Sequence, residues 1–370
     1  MYITGWYSIE RWYRRFSWER ERALKIHFRG FEVRKRVALT ISRGMQAGSR
    51  NWEIEVEDEG VSGFGESAEF SIPGSVQDYD YLGSELERAT ALISSYSAWD
   101  RQEALLRLQA HSVASSVRAG IDMALWDWCG KVCRAPVWKM MGLADRARVP
   151  VSVTIGIQSS ALAKERWKKW CDVGVFRAVK VKMGACGGIV EDQAMFDALL
   201  EELPGEVSKS VDANGGWSVE DAIEMSRWLS ERGVDHIEQP TVPGDHEALA
   251  RVHRESGLPI MADESCRTSM DIPRLVGCCS GINIKLLKCG GLSEAIRMVH
   301  TARSHGLRVM LGCYSQSSLG NVAANQISAL VDYIDLDSHL NLLDDPYSGC
   351  RLEGGYLVNS GLPGLGVTHA

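Results

Sequence analysis

The chain has 370 residues, with 45% apolar and 24% charged side chains, and its 41 Lys+Arg against 48 Asp+Glu give a formal net charge of −7. This composition excludes wholesale disorder, and mild acidity argues against a general nucleic-acid binder. No run approaches the roughly 18 uncharged apolar residues of a membrane span, and the N-terminus lacks a signal peptide's apolar core. The ten cysteines show no CxxC or zinc-like spacing and read as reduced thiols of a cytoplasmic protein.

Charge is uneven along the chain. Residues 1–50 hold 12 Lys/Arg and 4 Asp/Glu, a balance of +8, which leaves −15 on the remaining 320 residues. Residues 1–23 crowd Trp6, Tyr7, Trp12, Tyr13, Phe16 and Trp18 among Arg11, Arg14, Arg15, Arg20 and Arg22. Such an arm suits either a surface-binding role or packing on the chain's own acidic body. The aromatic spacing is not cleanly helical, which favours the second.

Residues 24–142 read as a small α+β domain. LKIHF, VRKRVALTI and WEIEVED alternate apolar and polar residues as strands do, and GVSGFGESAEF is expected to supply turns. From Asp78 to Met141 the pattern becomes helical, and AGIDMALWDWCGKV is apolar on most sides, as in a buried helix.

Residues 143–340 carry a repeat. Eight short β-branched runs, from VPVSVTIGI to VDYIDLDS, are each followed by a helix-like stretch. Seven of them end on Lys182, Asp212, Glu238, Asp263, Lys285, Gly312 and Asp335, at gaps of 30, 26, 25, 22, 27 and 23 residues. That period predicts an α/β fold, a (β/α)8-type barrel, with its active site at the C-terminal ends of the strands. A doubly wound sheet competes, but the first run lacks the Gly-rich turn that usually follows it there. Residues 341–370 are expected to pack back on the first domain.

The strand ends carry the chemistry. Asp212, Glu238 and Asp263 come from three consecutive strands, and oxygen donors without His or Cys suit Mg2+ or Mn2+. Any one of them alone is as well explained as a helix cap; three at matching depth are not. Lys180 and Lys182 lie two apart on one strand and so point to the same side. Two close ammonium groups disfavour each other's charged form, which suits Lys182 to act as a base near neutral pH. Lys285 rises from the far side. One lysine on each side of a cation can abstract a proton α to a carboxylate and return one on the other face.

KVK, VDANGGW with Asp212 and Asn214, IEQP, ADES and NIKLLKCGG together resemble the muconate-lactonizing branch of the enolase superfamily. GFGES at Glu66 and GLPGLGV at residues 361–367 are similar to that family's capping domain and tail, so the resemblance spans most of the chain. Asp335 and Asp337 in DLDSHLNLLDDP look like the DxD motif of dipeptide epimerases. The resemblance implies an isomerase with Lys182 and Lys285 as the two bases, Lys180 tuning Lys182, and Mg2+ on Asp212, Glu238 and Asp263. It further implies a small dipeptide substrate. The substrate's α-ammonium would sit on Asp335 and Asp337, and the α-carbon of its C-terminal residue would be inverted by 1,1-proton transfer through a metal-stabilised enediolate. A symmetric homo-oligomer, with no nucleic-acid or membrane partner, is the expected assembly.

The seventh strand end departs from the family pattern. GCYSQSS places Tyr314 and Gln316 where a thioether and an acid are usual, so Gln316 is expected to touch substrate and alter side-chain preference. Thr154 on the first strand and Arg43 in TISRGMQAGSR are further candidate substrate contacts, with Asn214 in support. Lys288 reads as a helix-start charge or a substrate contact. The same site could serve o-succinylbenzoate synthesis, N-acylamino acid racemisation or muconate cycloisomerisation, but those substrates offer no free ammonium to two acids. A binding protein recruited from a barrel enzyme is the reading of a different class.

Overall fold

The computed structural model describes residues 24–370; the basic aromatic segment 1–23 lies outside the described residues. Strands Lys25–Ile41, Gly44–Asp58 and Val61–Ala68 form an antiparallel sheet in chain order. LKIHF and VRKRVALTI, expected as separate runs, are one 17-residue strand. Gly30 between them makes room and not a turn, because a Cβ there would lie 1.8 Å from the hydroxyl of Tyr79.

VSGFGESA likewise is a strand where turns were expected, and only Gly60 before it lies in a turn. Its glycines let it lie directly on the buried helix Ser115–Val132. A Cβ on Gly65 would meet the carbonyl of Gly120 at 2.0 Å, and one on Gly63 the carbonyl of Ala124 at 2.2 Å. This helix packs with Tyr79–Ile93 and Arg101–Ala110 on Ile54, Val56, Leu82, Leu86 and Trp128, a core of its own. Asp78 starts the first of the three by accepting the Tyr81 amide.

Eight parallel strands follow: Ser152–Ile155, Ala178–Lys182, Ser208–Asp212, His236–Glu238, Ile260–Ala262, Gly281–Lys285, Arg308–Gly312 and Tyr333–Asp335. They stand side by side in chain order. Helices between them bury one stripe against the sheet; Val219–Ser230, for example, turns Ala222, Ile223, Met225 and Leu229 inward. The strands are buried on both faces, which explains why their sequences run nearly continuously apolar.

Between the eighth strand and the first, the seam carries a bridge at Val151 and Ile334 and a set of side-chain bonds. Ser152 Oγ donates to the Ile334 carbonyl at 3.1 Å and to Asp335 Oδ1 at 3.0 Å, and the Thr154 amide donates to Asp337 Oδ2 at 2.7 Å.

Several contacts tie the capping domain to the rest, two sets of them through buried carboxylates. Glu66 is fully buried and accepts four bonds: from Asn51 Nδ2 at 2.6 Å, Ser317 N at 3.0 Å, Ser317 Oγ at 2.7 Å and Gly320 N at 2.8 Å. It thus caps the helix Ser318–Asn325 that leaves the seventh barrel strand. At the chain's end, Tyr347 and His369 both bond Glu53 of the second strand, and Asp127 accepts the Leu365 amide at 2.8 Å. No helix among the described residues is long and apolar enough to cross a membrane.

Candidate functional site

The C-terminal ends of the barrel strands open into a cavity roofed by the hairpin at residues 39–46 of the capping sheet. The hairpin is held there by its backbone, since the Ile157 amide donates to the Thr40 carbonyl at 2.9 Å. Lys180, Lys182, Lys285, Asn214, Asp335, Asp337, Thr154 and Arg43 all line the cavity. Gln316 does not: its side chain lies beside Gly320, with Nε2 unpartnered among the described residues.

Asp212, Glu238 and Asp263 do not line the cavity themselves; each is fully buried against lysines that do. Strand pairing sets Lys182, Asp212 and Glu238 in one row, and Asp263 follows the next strand directly. Lys182 Nζ lies 2.5 Å from Asp212 Oδ2. Lys180 Nζ sits 3.8 Å from the same oxygen and 3.3 Å from Glu238 Oε2, and it also bonds Asp335. On the opposite side Lys285 Nζ lies 2.7 Å from Asp263 Oδ2. The two lysines that flank the acids therefore approach from different strands across the barrel mouth.

Lys288 is neither a surface helix-start charge nor a cavity contact. It is buried, bonding Asp263 Oδ1 at 2.7 Å and the carbonyls of Asp263 and Asn283 at 2.5 and 2.9 Å. It clamps Asp263 from below. Glu264, next to Asp263, is a fourth buried carboxylate that holds Arg43 Nη2 at 2.7 Å, and Arg43 Nη1 donates to the Asn214 carbonyl at 2.9 Å. Gln239 braces two strand ends, its Oε1 accepting the amides of Asp263 and Ser265 at 3.0 and 3.1 Å. Reading strand ends alone passes over Lys288, Glu264 and Gln239. The direct adjacency of Glu264 to Asp263, and of Gln239 to Glu238, is the signal that marks two of them.

The electrostatics follow from burial set against these partners. Burial acts to lower Lys180, but Asp335, Glu238 and Asp212 outweigh it and hold the ammonium well above the ordinary lysine range. Burial acts to raise Asp263, and Lys285 and Lys288 override it, holding the carboxyl far below the usual range. Glu238 is pushed up to about 7 by burial and by its neighbours Asp212 and Asp263. The three buried acids thus still repel one another, because Lys182, Lys285 and Lys288 pair with Asp212 and Asp263 while Glu238 has only Lys180, which it shares with Asp335.

This donor set fits a hard divalent cation. The acids offer oxygen only, and Asn214 Oδ1 and Glu264 Oε2 beside them accept no hydrogen bond among the described residues. Among the described residues no three acidic, His or Cys side chains already stand as a finished metal cage. Lysine ammoniums hold the carboxylate oxygens instead. A cation would relieve the like-charge repulsion that raises Glu238.

A (β/α)8-type barrel with three strand-end acids flanked by lysines, under an α+β cap, defines an enolase-type enzyme of the isomerase class. The chain belongs to the enolase superfamily: the mandelate racemase / muconate lactonizing enzyme N-terminal domain matches residues 27–142, and the enolase C-terminal domain-like family matches residues 158–370. A hydrophobic dipeptide epimerase of Roseobacter litoralis is 41% identical over 94% of this chain and 100% of its own length. An L-Ala-D/L-Glu epimerase of Bacteroides thetaiotaomicron is 32% identical over 93% of this chain and 88% of its own. Among solved structures, a dipeptide epimerase of Enterococcus faecalis complexed with Mg and L-Leu-L-Tyr superposes with a TM-score of 0.87 at 27% identity, covering 94% of this chain and all of that one. A muconate lactonizing enzyme of Pseudomonas fluorescens superposes as well, at 0.88 and 25% identity, so the fold alone does not separate these activities.

Proposed function

We propose that this chain is a Mg2+-dependent dipeptide epimerase that inverts the α-carbon of a dipeptide's C-terminal residue. The observation that carries this reading is Lys182 and Lys285 facing one acid cluster from opposite strands, with Asp335 and Asp337 beside it. The hydrophobic dipeptide epimerase and the L-Ala-D/L-Glu epimerase named above match over 94% and 93% of this chain.

Asp212, Glu238 and Asp263 would hold Mg2+, and Asn214 fixes Asp212 by donating to both of its oxygens at 2.8 and 3.2 Å. The cation would supply positive charge beside the substrate's C-terminal carboxylate and so make the adjacent α-proton more acidic. Lys182 Nζ accepts the α-proton from one epimer, and Lys285 Nζ donates a proton to the opposite face. The reverse reaction exchanges those roles. Lys180, kept cationic by three acids, stands two residues from Lys182 on the same strand, and both line the cavity. Asp335 ends the eighth strand and Asp337 follows two residues later; both line the cavity and complement the substrate's α-ammonium. The apolar Leu39, Ile41 and Phe70, with Tyr314 stacked on Phe70 at 4.6 Å, offer the epimerised residue an apolar side-chain wall.

The division into a capping domain at 24–142, a barrel at 143–340 and a returning tail at 341–370 belongs to the same reading, as does a symmetric homo-oligomer. A cytoplasmic location is supported by ten cysteines that all remain free thiols. The test is incubation with mixed L,L-dipeptides and Mg2+ in D2O, followed by mass spectrometry. Deuterium should enter at one α-carbon, that of the C-terminal residue. Absence of exchange across a broad library would overturn the reading.

A further inference from the structure

Two cations of the cavity stand apart from its acid network. Arg43 pairs with Glu264, Lys180 with Asp335, Lys182 with Asp212, and Lys285 and Lys288 with Asp263. Lys35 and Arg166 also line the cavity, at 9% and 8% exposure, yet neither forms an ion pair or side-chain hydrogen bond among the described residues. An ammonium and a guanidinium buried to this degree without a paired anion are costly, and proteins retain them where a ligand supplies the partner.

Both are built into position. Lys35 points inward from the first capping strand, on the same face as the core residue Val33, and its backbone bridges Leu342. Arg166 lies over the ring of Trp170 at 4.1 Å, and Trp170 in turn donates to the Thr154 carbonyl at 2.9 Å. The acid that acts on both is Asp337, whose Oδ2 already accepts the Thr154 amide. Burial lowers Lys35 to about 8 and Arg166 to about 10, and Asp337 only partly counters it.

We propose that Lys35 and Arg166 form a subsite for a carboxylate on the substrate's amino-terminal side, so that this chain favours dipeptides beginning with Glu or Asp. The inference rests on the dipeptide reading in one respect: Asp335 and Asp337 take the α-ammonium. The first residue's side chain leaves the same carbon as that ammonium and so falls beside Asp337, where the two cations lie. A guanidinium and an ammonium together match a carboxylate in charge and donor geometry. An N-succinyl group would bring the same carboxylate without an ammonium.

Binding of L-Glu-L-Leu, L-Gln-L-Leu and N-succinyl-L-Leu to the Mg2+-loaded enzyme, by titration calorimetry beside D2O exchange, tests this. Glu and Gln differ here in charge and hardly in shape. L-Glu-L-Leu should bind at least about tenfold tighter than L-Gln-L-Leu, and the preference should vanish in K35Q and R166Q. Both variants should still exchange L-Ala-L-Leu, which shows that they fold. Equal or tighter binding of L-Gln-L-Leu by the unmodified chain overturns the proposal. Tightest binding of N-succinyl-L-Leu overturns its dipeptide form. Discrimination in binding without exchange on any dipeptide counts against the epimerase reading and not against the subsite.

Discussion

Glu66 Oε2 accepts the backbone amide of Gly320 at 2.8 Å, so a carboxylate of the capping sheet caps a helix of the barrel. Gly320 admits it because a Cβ there would lie 2.9 Å from that oxygen. Glu66→Ala leaves four buried donors unpaired and should cost about 3–5 kcal/mol, read as a fall in the denaturant midpoint. A loss below about 1 kcal/mol would show that the strut carries little.

The same carboxyl gives stability a pH dependence. Burial outweighs its four donors and pushes Glu66 up to about 7, from 4.5 in an exposed chain. The folded state therefore holds this proton more tightly than the unfolded state. Its contribution is complete below about pH 4.5 and is lost as pH rises through 7, on the order of 3 kcal/mol in all. The Tm of the unmodified protein should fall more between pH 5 and pH 8 than that of E66Q. Parallel profiles would contradict the assignment.

Lys182→Ala and Lys285→Ala should each lower epimerisation by about 10²–10⁴-fold. Each variant should keep slow α-exchange of the one epimer whose proton faces its surviving lysine. Chiral analysis of residual exchange in D2O reads this directly; unchanged activity in both would sink the two-base scheme.

Asp263→Asn removes one proposed metal ligand and also the partner of Lys285 and Lys288. At 100 times Kd, Mg2+ should stabilise the unmodified protein by about 2.7 kcal/mol, seen as a rise in Tm. That rise should disappear in D263N, and the metal-free variant should itself be about 3–5 kcal/mol less stable because two buried ammoniums lose their carboxylate. An intact Mg2+-dependent rise in D263N would exclude Asp263 from the cation site.

Among the described residues the buried hydroxyl of Tyr314 has no partner, while its ring lies 4.8 Å from Lys285 Nζ. Tyr314→Phe should leave the substrate-free protein as stable or up to about 1–3 kcal/mol more stable. If the hydroxyl meets substrate, KM should rise with little change in kcat. Lower stability in Y314F would point to a hydrogen bond within the protein.

Much of this was legible in the sequence because barrel chemistry falls at one place in a repeating unit. Lys182, Asp212, Glu238, Lys285 and Asp335 end their strands and Asp263 directly follows its own, so period alone collects them. Lys35, Arg166 and Lys288 obey no such rule. Lys35 sits in VRKRV, which looks solvated, and only strict alternation from Val33 shows that it points inward. Arg166 lies on a helix face that resembles any other exposed turn. Lys288 is three residues past a strand end and turns back beneath it. The glycines of GVSGFGESA misled in the other direction: they serve close approach of a helix, a tertiary fact with the same local signature as a turn.

The seam between the eighth and first strands bears on how such an enzyme changes. Its bonds from Ser152 and Thr154 end on Asp335 and Asp337, the same carboxylates proposed to greet the substrate. Closure of the barrel and recognition of a ligand thus draw on shared atoms. A lineage that replaced either aspartate to accept a different substrate would also unstitch its barrel there. New specificity at this position therefore requires a compensating change at Ser152 or Thr154, and the two strands should drift as a unit.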